Sequence, residues 1–247
     1  MRHLKLSFGL AVVACSVAVA ATPAMAHEFI SSKAGKTTGV TEATQLLHFG
    51  PFKIKCLKAE AKGLVAGGTS KTYATSIKFK KCQTSAKIGV HEIFLATAFQ
   101  TPLAVEYHAN GFVETGSELE EVEGETVLKG GSVKIKVNTG QTSEFTKSEC
   151  VISWPEQTLP KKAETKPEDP YTMAIFSNEE RAHLKSKEFE DAQQHFIKIT
   201  NAFKGIKVEF EGEPCEEWGK EEGPEAGGGT YSGSFPQILV GGNLTYL

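Results

Sequence analysis

The chain has 247 residues, of which 40% are hydrophobic and 23% charged, and its formal net charge is −3. This length and composition suit a globular protein with a sizeable core, either one large β domain or two small ones. The chain contains only two arginines, Arg2 and Arg181. Specific nucleic-acid binding depends on arginine forks and basic patches, so the composition argues against a nucleic-acid partner.

The amino-terminal segment has the pattern of an export signal. Arg2 and Lys5 give a basic start, an apolar run covers residues 8–21, and Ala-Met-Ala at 24–26 supplies the small residues that a signal peptidase requires. We therefore expect a cleavable signal helix. Lipoprotein processing before Cys15 is the alternative, because the residues around it also fit a lipoprotein consensus.

Cleavage after Ala26 divides the chain into a signal peptide, residues 1–26, and a secreted mature domain, residues 27–247. The loss of two basic residues leaves 25 lysines and arginines against 30 acidic side chains, a net charge of −5. The apolar run of the signal is shorter than the roughly 20 residues that span a bilayer. We expect no transmembrane anchor in the mature chain, although association with the cell surface stays open.

The mature chain has four cysteines, Cys56, Cys82, Cys150 and Cys215. An even number in an exported chain predicts two disulfides, although four cysteines allow three pairings. We favour Cys56–Cys82 and Cys150–Cys215, because each bridge then closes a loop within its own half of the chain. The cysteines are too widely spaced for a zinc-finger site.

Apolar and polar residues alternate with a period of two along most of the chain, which is typical of half-buried strands. The residues expected to face the core are Phe52, Ile54 and Cys56; Thr75, Ile77 and Phe79; Leu103, Val105 and Tyr107; Val133, Ile135 and Val137; Cys150, Ile152 and Trp154; and Ile206, Val208 and Phe210. Ten or more short strands without helical spacers predict an all-β fold, an antiparallel β-sandwich or jelly roll. The lysines between the apolar positions indicate solvated strand faces, with a polyanion-binding stripe as the alternative.

Residues 177–194 do not follow this alternation. Ser177 stands three residues before Glu180, which is the spacing of a capping box, but apolar residues are too sparse for a firm amphipathic helix. A short surface helix and a long polar hairpin are both open. The proline-rich loop at 161–170 is a candidate domain boundary, but the strands on either side share one patterning, so we predict a single domain.

Four short motifs are distributed along the mature chain: Phe52-Lys53-Ile54-Lys55-Cys56, Cys150-Val151-Ile152-Ser153-Trp154-Pro155, Lys204-Gly205-Ile206-Lys207-Val208 ahead of Cys215, and Gly229-Thr230-Tyr231-Ser232-Gly233-Ser234. In these motifs the chain resembles a family of secreted, uncharacterised proteins from actinobacteria of the Solirubrobacter type. Members often carry two more cysteines, at places that correspond here to Phe112 and Val137. If these two cysteines pair with each other in other members, the loss of both here corresponds to one deleted disulfide. The resemblance thus supports the favoured pairing of the remaining four. The resemblance implies no catalytic residues.

One functional alternative concerns the mature amino terminus. After cleavage, His27 would carry both a free amine and a ring nitrogen, which together can chelate copper. His91 or His108, both on predicted strands, would complete such a site. A copper-binding redox protein is therefore the second hypothesis, although the sequence around His27 does not resemble the opening motif of known copper enzymes of this kind.

Other candidate motifs are weaker. The acidic residues at 118–125 lack the spacing of a calcium loop and indicate a solvated loop. The sequence has no Gly-x-Ser-x-Gly elbow and no unpaired cysteine beside a histidine. We interpret Trp154 as a core residue and Trp218 as a loop residue. Carbohydrate binding on a sheet face would require an exposed row of aromatic side chains.

These patterns lead to one prediction of function. The export signal, the strand patterning and the even cysteine count, without a recognisable catalytic set, predict a secreted, non-enzymatic β-sandwich protein. Its role would be structural or in binding at the cell exterior. We expect no cofactor and no metal site.

Overall fold

A computed structural model of the chain describes residues 28–88, 91–109, 125–138, 147–159, 171–181, 194–212, 215–216 and 228–247. The strands in these residues are β1 (Phe29–Ser31), β2 (Gly35–Thr41), β3 (Gln45–Phe49), β4 (Phe52–Val65), β5 (Gly68–Ser70), β6 (Thr72–Ile88), β7 (His91–Phe99), β8 (Leu103–His108), β9 (Glu125–Leu128), β10 (Gly131–Asn138), β11 (Lys147–Trp154), β12 (Gln157–Leu159), β13 (Tyr171–Arg181), β14 (Gln194–Ile206), β15 (Glu209–Glu211), β16 (Gly229–Leu239) and β17 (Leu244–Tyr246). The described chain is all-β, as the period-two pattern predicts.

Most strands belong to one large antiparallel sheet, in the order β13-β14-β16-β2-β4-β6-β7-β10-β11-β15. β3 pairs with both β16 and β4, while β8, β9 and β12 continue the sheet from β6. β6 therefore serves two parts of the sheet, since β8 pairs with Thr72–Ile77 and β7 with Thr84–Ile88. A smaller sheet, β17-β1-β5, joins the two ends of the described chain.

Aromatic rings on strands that are not hydrogen-bonded neighbours meet across the core. The ring of Phe49 on β3 stacks on Trp154 of β11, with centroids 5.7 Å apart. The ring of Tyr107 on β8 meets Phe176 of β13 edge on, at 5.3 Å. Parts of the sheet thus pack face to face around buried side chains, as in a β-sandwich. Trp154 is a core residue, as predicted.

The predicted inward positions are confirmed for most strands. The buried ones are Phe52, Ile54, Cys56, Thr75, Ile77, Phe79, Leu103, Val105, Tyr107, Val133, Ile135, Cys150, Ile152 and Trp154. The segment 206–210 differs from the prediction of one continuous strand. Ile206 ends β14, whereas Phe210 belongs to β15, which pairs with β11 instead. Val208 and Phe210 are only partly buried.

Residues 177–181 form strand, so of the two alternatives left open for 177–194 the helix does not apply to them. They belong to β13, which pairs with β14 along its whole length until Arg181 lies opposite Gln194. A continuous antiparallel partner supplies the backbone hydrogen bonds that a helix would have supplied locally. This agrees with the hairpin alternative, and residues 182–193 lie outside the described part of the chain.

β4 and β6 change their buried face at the same level of the sheet. In β4 both Cys56 and Ala59 are buried, and in β6 both Phe79 and Thr84 are buried, so the alternation shifts by one residue in each strand. Between the buried residues of β6, Lys81 has a φ of 54°. Such a local irregularity bends a strand and re-aims its side chains. The bend lies beside the point where the hydrogen-bonded partner of β6 changes from β8 to β7.

The backbone of Lys81 gives a stability prediction. We expect Lys81→Gly to stabilise the fold by about 0.5–1 kcal/mol. Left-handed backbone costs a residue with a side chain about 1–2 kcal/mol, and glycine avoids this cost. About half of that gain is lost again, because glycine in a strand gives up more conformational freedom on folding. Chemical unfolding would measure the free energy of unfolding. Gln83→Gly, at an exposed position of the same strand with negative φ, is the matched control and should destabilise. A Lys81→Gly protein no more stable than the parent would contradict the prediction.

Candidate functional site

Both predicted disulfides are present. Cys56 on β4 lies directly opposite Cys82 on β6, with Cα atoms 3.9 Å apart. Cys150 on β11 is bonded to Cys215, with Cα atoms 5.5 Å apart. These cysteines have no free thiolate to act as a nucleophile, so their role is structural. The bridges suggest folding in an oxidising environment.

The histidines proposed for copper are separated by the fold. His91 pairs at one end of β6 and His108 at the other, sixteen residues apart along that strand. At about 3.3 Å per residue this is roughly 50 Å along the strand. The two cannot ligate one ion together, and only one could ever partner His27, which lies outside the described residues. Nε2 of His108 lies 3.1 Å from Oε1 of Glu106.

Other candidate sites have little support in the described part of the chain. There, no three His, Cys, Asp or Glu side chains come together as a metal ion would require. The acidic residues 118–124 and Trp218 fall outside the described ranges. None of the described residues forms a helix long and apolar enough to cross a membrane.

The interior contains buried tyrosines whose hydrogen-bond partners the sequence pattern does not predict. Tyr107 donates to Oδ1 of Asn201 at 2.9 Å, and Tyr231 donates to Oε1 of Gln45 at 2.8 Å. Burial raises the pKa of the Tyr73, Tyr107 and Tyr231 phenols above the usual tyrosine value. These phenols therefore stay protonated near neutral pH and act as hydrogen-bonded core residues rather than as acids or bases.

The outward face of β2, β4, β6 and β8 carries lysines from different strands. Lys36 lies opposite Leu64, Lys62 lies opposite Ser76, and Lys78 lies in the next row. We call this surface the lysine face, and its lysines are Lys36, Lys58, Lys62, Lys78, Lys80 and Lys129. On this surface the strand register gathers like charges.

Three of these lysines, Lys36, Lys62 and Lys78, form a diagonal across the sheet. Each step along the lysine diagonal moves one strand sideways and one row, or two residues, along the strands. With strands about 4.8 Å apart and about 3.3 Å per residue, each step joins Cα atoms roughly 8 Å apart. The lysine diagonal therefore presents three regularly spaced cations.

A shallow groove of ≈ 600 Å³ lies on the same face. Lys36, Lys62 and Lys129 stand along it, and its floor includes Leu64 and Ala74. Leu64 is 68% exposed, so it presents apolar surface to the groove. The groove thus combines cationic sides with a small apolar floor.

Ion pairs neutralise two lysines of the face. Lys80 contacts the carboxylate of Glu60, and Nζ of Lys129 lies 2.8 Å from Glu156 and 4.0 Å from Glu106. The hydrogen bond from Lys80 lowers the pKa of Glu60, and the nearby lysine charges lower it further. The hydrogen bond to Glu156 raises the pKa of Lys129. Both pairs stay charged near neutral pH.

The lysine diagonal forms no such close ion pair, although Lys78 lies opposite Glu60 in the sheet and its charge helps to lower the pKa of that carboxyl. Within the described part of the chain, Lys36, Lys62 and Lys78 have no carboxylate within 4.0 Å of their ammonium groups. Counting the six lysines against Glu60, Glu106 and Glu156, the face carries a net charge of about +3. The whole chain carries −3, so this surface is opposite in sign to the molecule.

No described surface provides the aromatic row that a neutral carbohydrate platform would need. The large hydrophobic side chains that are exposed in the described ranges are Val40, Leu57, Leu64, Val240 and Leu247. None of these is aromatic. The lysine face therefore offers charge and small apolar contacts.

Comparisons with models of protein families, with curated proteins and with solved structures found no match. The resemblance to secreted actinobacterial proteins stays a prediction. The function is therefore inferred from the fold and the lysine face.

Proposed function

We propose that this chain is a secreted, non-enzymatic protein that binds a partner at the cell exterior through the lysine face. The observation that carries the proposal is the groove of ≈ 600 Å³ with unneutralised lysines beside it. The two disulfides and the signal pattern of residues 1–26 support export to an oxidising space. The resemblance to a secreted family points the same way.

Several features support a role without catalysis. A nucleophilic site requires a nucleophile and a base within hydrogen-bond reach of each other. Here the four cysteines are oxidised, and the buried tyrosines hold their protons in bonds to Asn201 and Gln45. The carboxylates of Glu60, which is partly buried, and Glu156, which is exposed, are partners of lysines. These groups stabilise or solvate the fold.

The charge pattern supports binding rather than solubility alone. A surface that only keeps a protein soluble intersperses both signs, which avoids repulsion. The steps of roughly 8 Å along the lysine diagonal are similar to the Debye length of about 8 Å at physiological ionic strength, so each ammonium still senses its neighbours. A bound anion would relieve that repulsion. An unneutralised cluster beside a groove is the arrangement that favours such a partner.

Sedimentation with isolated actinobacterial cell envelopes tests the binding role. We expect the full-length gene product, secreted from an oxidising host, to sediment with the envelopes at low salt. We expect roughly tenfold weaker binding for the combined variant Lys36→Gln, Lys62→Gln and Lys78→Gln, since each exposed charge contact contributes about 0.2–1 kcal/mol. Equal sedimentation of both proteins would contradict the proposed face. Turnover in a broad hydrolase and oxidase screen that a point substitution abolished would contradict the non-enzymatic role.

A further inference from the structure

We propose that the partner of the lysine face is a carboxylate-bearing polysaccharide that lies along the lysine diagonal. This inference rests on the proposed binding function and adds the chemical class of the ligand. Charge complementarity carries it, because the face is cationic on an otherwise anionic chain. The ligand is an extended polymer rather than a small molecule.

The spacing of the lysine diagonal fits a polymer with repeated charges. From Lys36 through Lys62 to Lys78 the Cα atoms extend over roughly 16 Å, two steps of about 8 Å. A lysine ammonium is a compact charge on a long side chain with three donors, so it can meet carboxylates whose spacing does not match the sheet. One linear chain can therefore contact all three lysines at once.

A polymer is favoured because a single exposed contact is weak. An ion pair at a solvent-exposed site strengthens binding by only about 1.4-fold to fivefold, too little to hold a monosaccharide acid. When one chain carries many carboxylates, the second and third contacts form at high effective concentration. The three lysines then act together.

The groove between the lysines is suited to sugar rings. The hydroxyl groups of Thr38 and Ser76 line it, and each can donate or accept a hydrogen bond to a sugar hydroxyl. Ala74 and Ala104 have small side chains that leave room for a ring, and Leu64 offers apolar surface to its C–H groups. The groove therefore provides contacts for the uncharged part of an acidic sugar.

The same surface is poorly suited to phosphate polymers and nucleic acid. Arginine supplies the planar fork that matches phosphate oxygens, and this face uses lysine throughout. Single-stranded nucleic acid also needs aromatic rings for its bases, and the described part of the face has none exposed.

Binding of labelled polygalacturonate to the full-length secreted protein tests the inference. We expect measurable affinity at low salt that falls as salt is raised. The combined variant Lys36→Gln, Lys62→Gln and Lys78→Gln should bind roughly threefold to hundredfold more weakly. The matched control carries the same change of charge at three exposed lysines elsewhere, Lys136→Gln, Lys198→Gln and Lys207→Gln, and should keep most of the parent's affinity.

Neutral dextran, polyphosphate and single-stranded DNA complete the experiment. Weak binding of all three supports the carboxylated polysaccharide. If polyphosphate or DNA binds more tightly than polygalacturonate and depends on the same lysines, the ligand class is wrong but the binding face stands. If the diagonal and control variants lose affinity equally, the lysine diagonal is not the site. If the parent binds no polymer yet sediments with envelopes through these lysines, only the ligand class is overturned.

Discussion

Removal of the Cys150–Cys215 bridge is expected to destabilise the protein by about 4 kcal/mol, more than removal of Cys56–Cys82, at about 3.5 kcal/mol. The difference follows from the loops that the bridges close, with sequence separations of 65 and 26 residues. In the chain-entropy model, the longer loop restricts the unfolded chain more. The longer bridge also encloses β12, β13, β14 and β15, whereas only β5 lies wholly within the shorter loop.

Chemical unfolding of two double variants would measure this difference. Cys150→Ala with Cys215→Ala is compared with Cys56→Ala with Cys82→Ala, so that neither protein carries a new free thiol. The second pair is the matched control, because it removes the same chemistry from strands that stay hydrogen-bonded neighbours. Equal losses, or a larger loss for the Cys56–Cys82 bridge, would show that native-state strain rather than loop length determines the stabilisation.

The strand faces could be predicted because their cause is local. A buried face requires an apolar side chain at every second residue, and Ile54, Ile77 and Ile135 each satisfy that requirement within their own segment. The disulfide pairing could be favoured for a similar reason, since each bridge lies within one half of the chain. Fold class therefore follows from patterns of a few residues.

The irregularities could not be predicted, because their causes lie in the sheet. Lys81 is not a typical residue for left-handed backbone, yet it adopts a φ of 54° where β6 changes partners. Ile206 and Phe210 share one alternation in the sequence, but they end on strands with different neighbours. At Ser177 the capping-box spacing is real, and the β14 partner nevertheless holds the segment as strand.

The lysine face could not be predicted either, because the contacts that assemble it also lie between strands that are distant in sequence. Lys36, Lys62 and Lys78 are 26 and 16 residues apart in sequence, so no local pattern links them. Only the register of β2 against β4, and of β4 against β6, places them on one diagonal. The sequence indicated outward lysines with a polyanion stripe as an alternative, but it could not say which lysines are neutralised by a carboxylate.

Alkaline pH should unfold this protein steeply, because three tyrosines are buried in the protonated form. Burial raises the pKa of Tyr73, Tyr107 and Tyr231 in the folded state, whereas in the unfolded chain tyrosine ionises near pH 10. Their stabilisation is complete below about pH 10 and is lost as the pH rises towards the folded pKa values. Between the unfolded and the folded pKa, each phenol lowers the free energy of unfolding by about 1.4 kcal/mol per pH unit. The three together therefore lower it by about 4 kcal/mol per pH unit.

Circular dichroism and tyrosinate absorbance, followed together from pH 9 to pH 13, would check this prediction. A domain with a free energy of unfolding of about 5–10 kcal/mol should unfold roughly between pH 11 and pH 12.5, with the buried phenols ionising in the same transition. Tyr107→Phe should lower the slope of unfolding free energy against pH by about a third, whatever it does to stability at neutral pH. Phe203→Leu, a core substitution beside Tyr231 without an ionisable group, should destabilise the fold and leave that slope unchanged. Full ionisation of the tyrosines near pH 10 in a protein that stays folded would show that solvent reaches these phenols, and the hydrogen bond from Tyr107 to Asn201 would then not be a closed core contact.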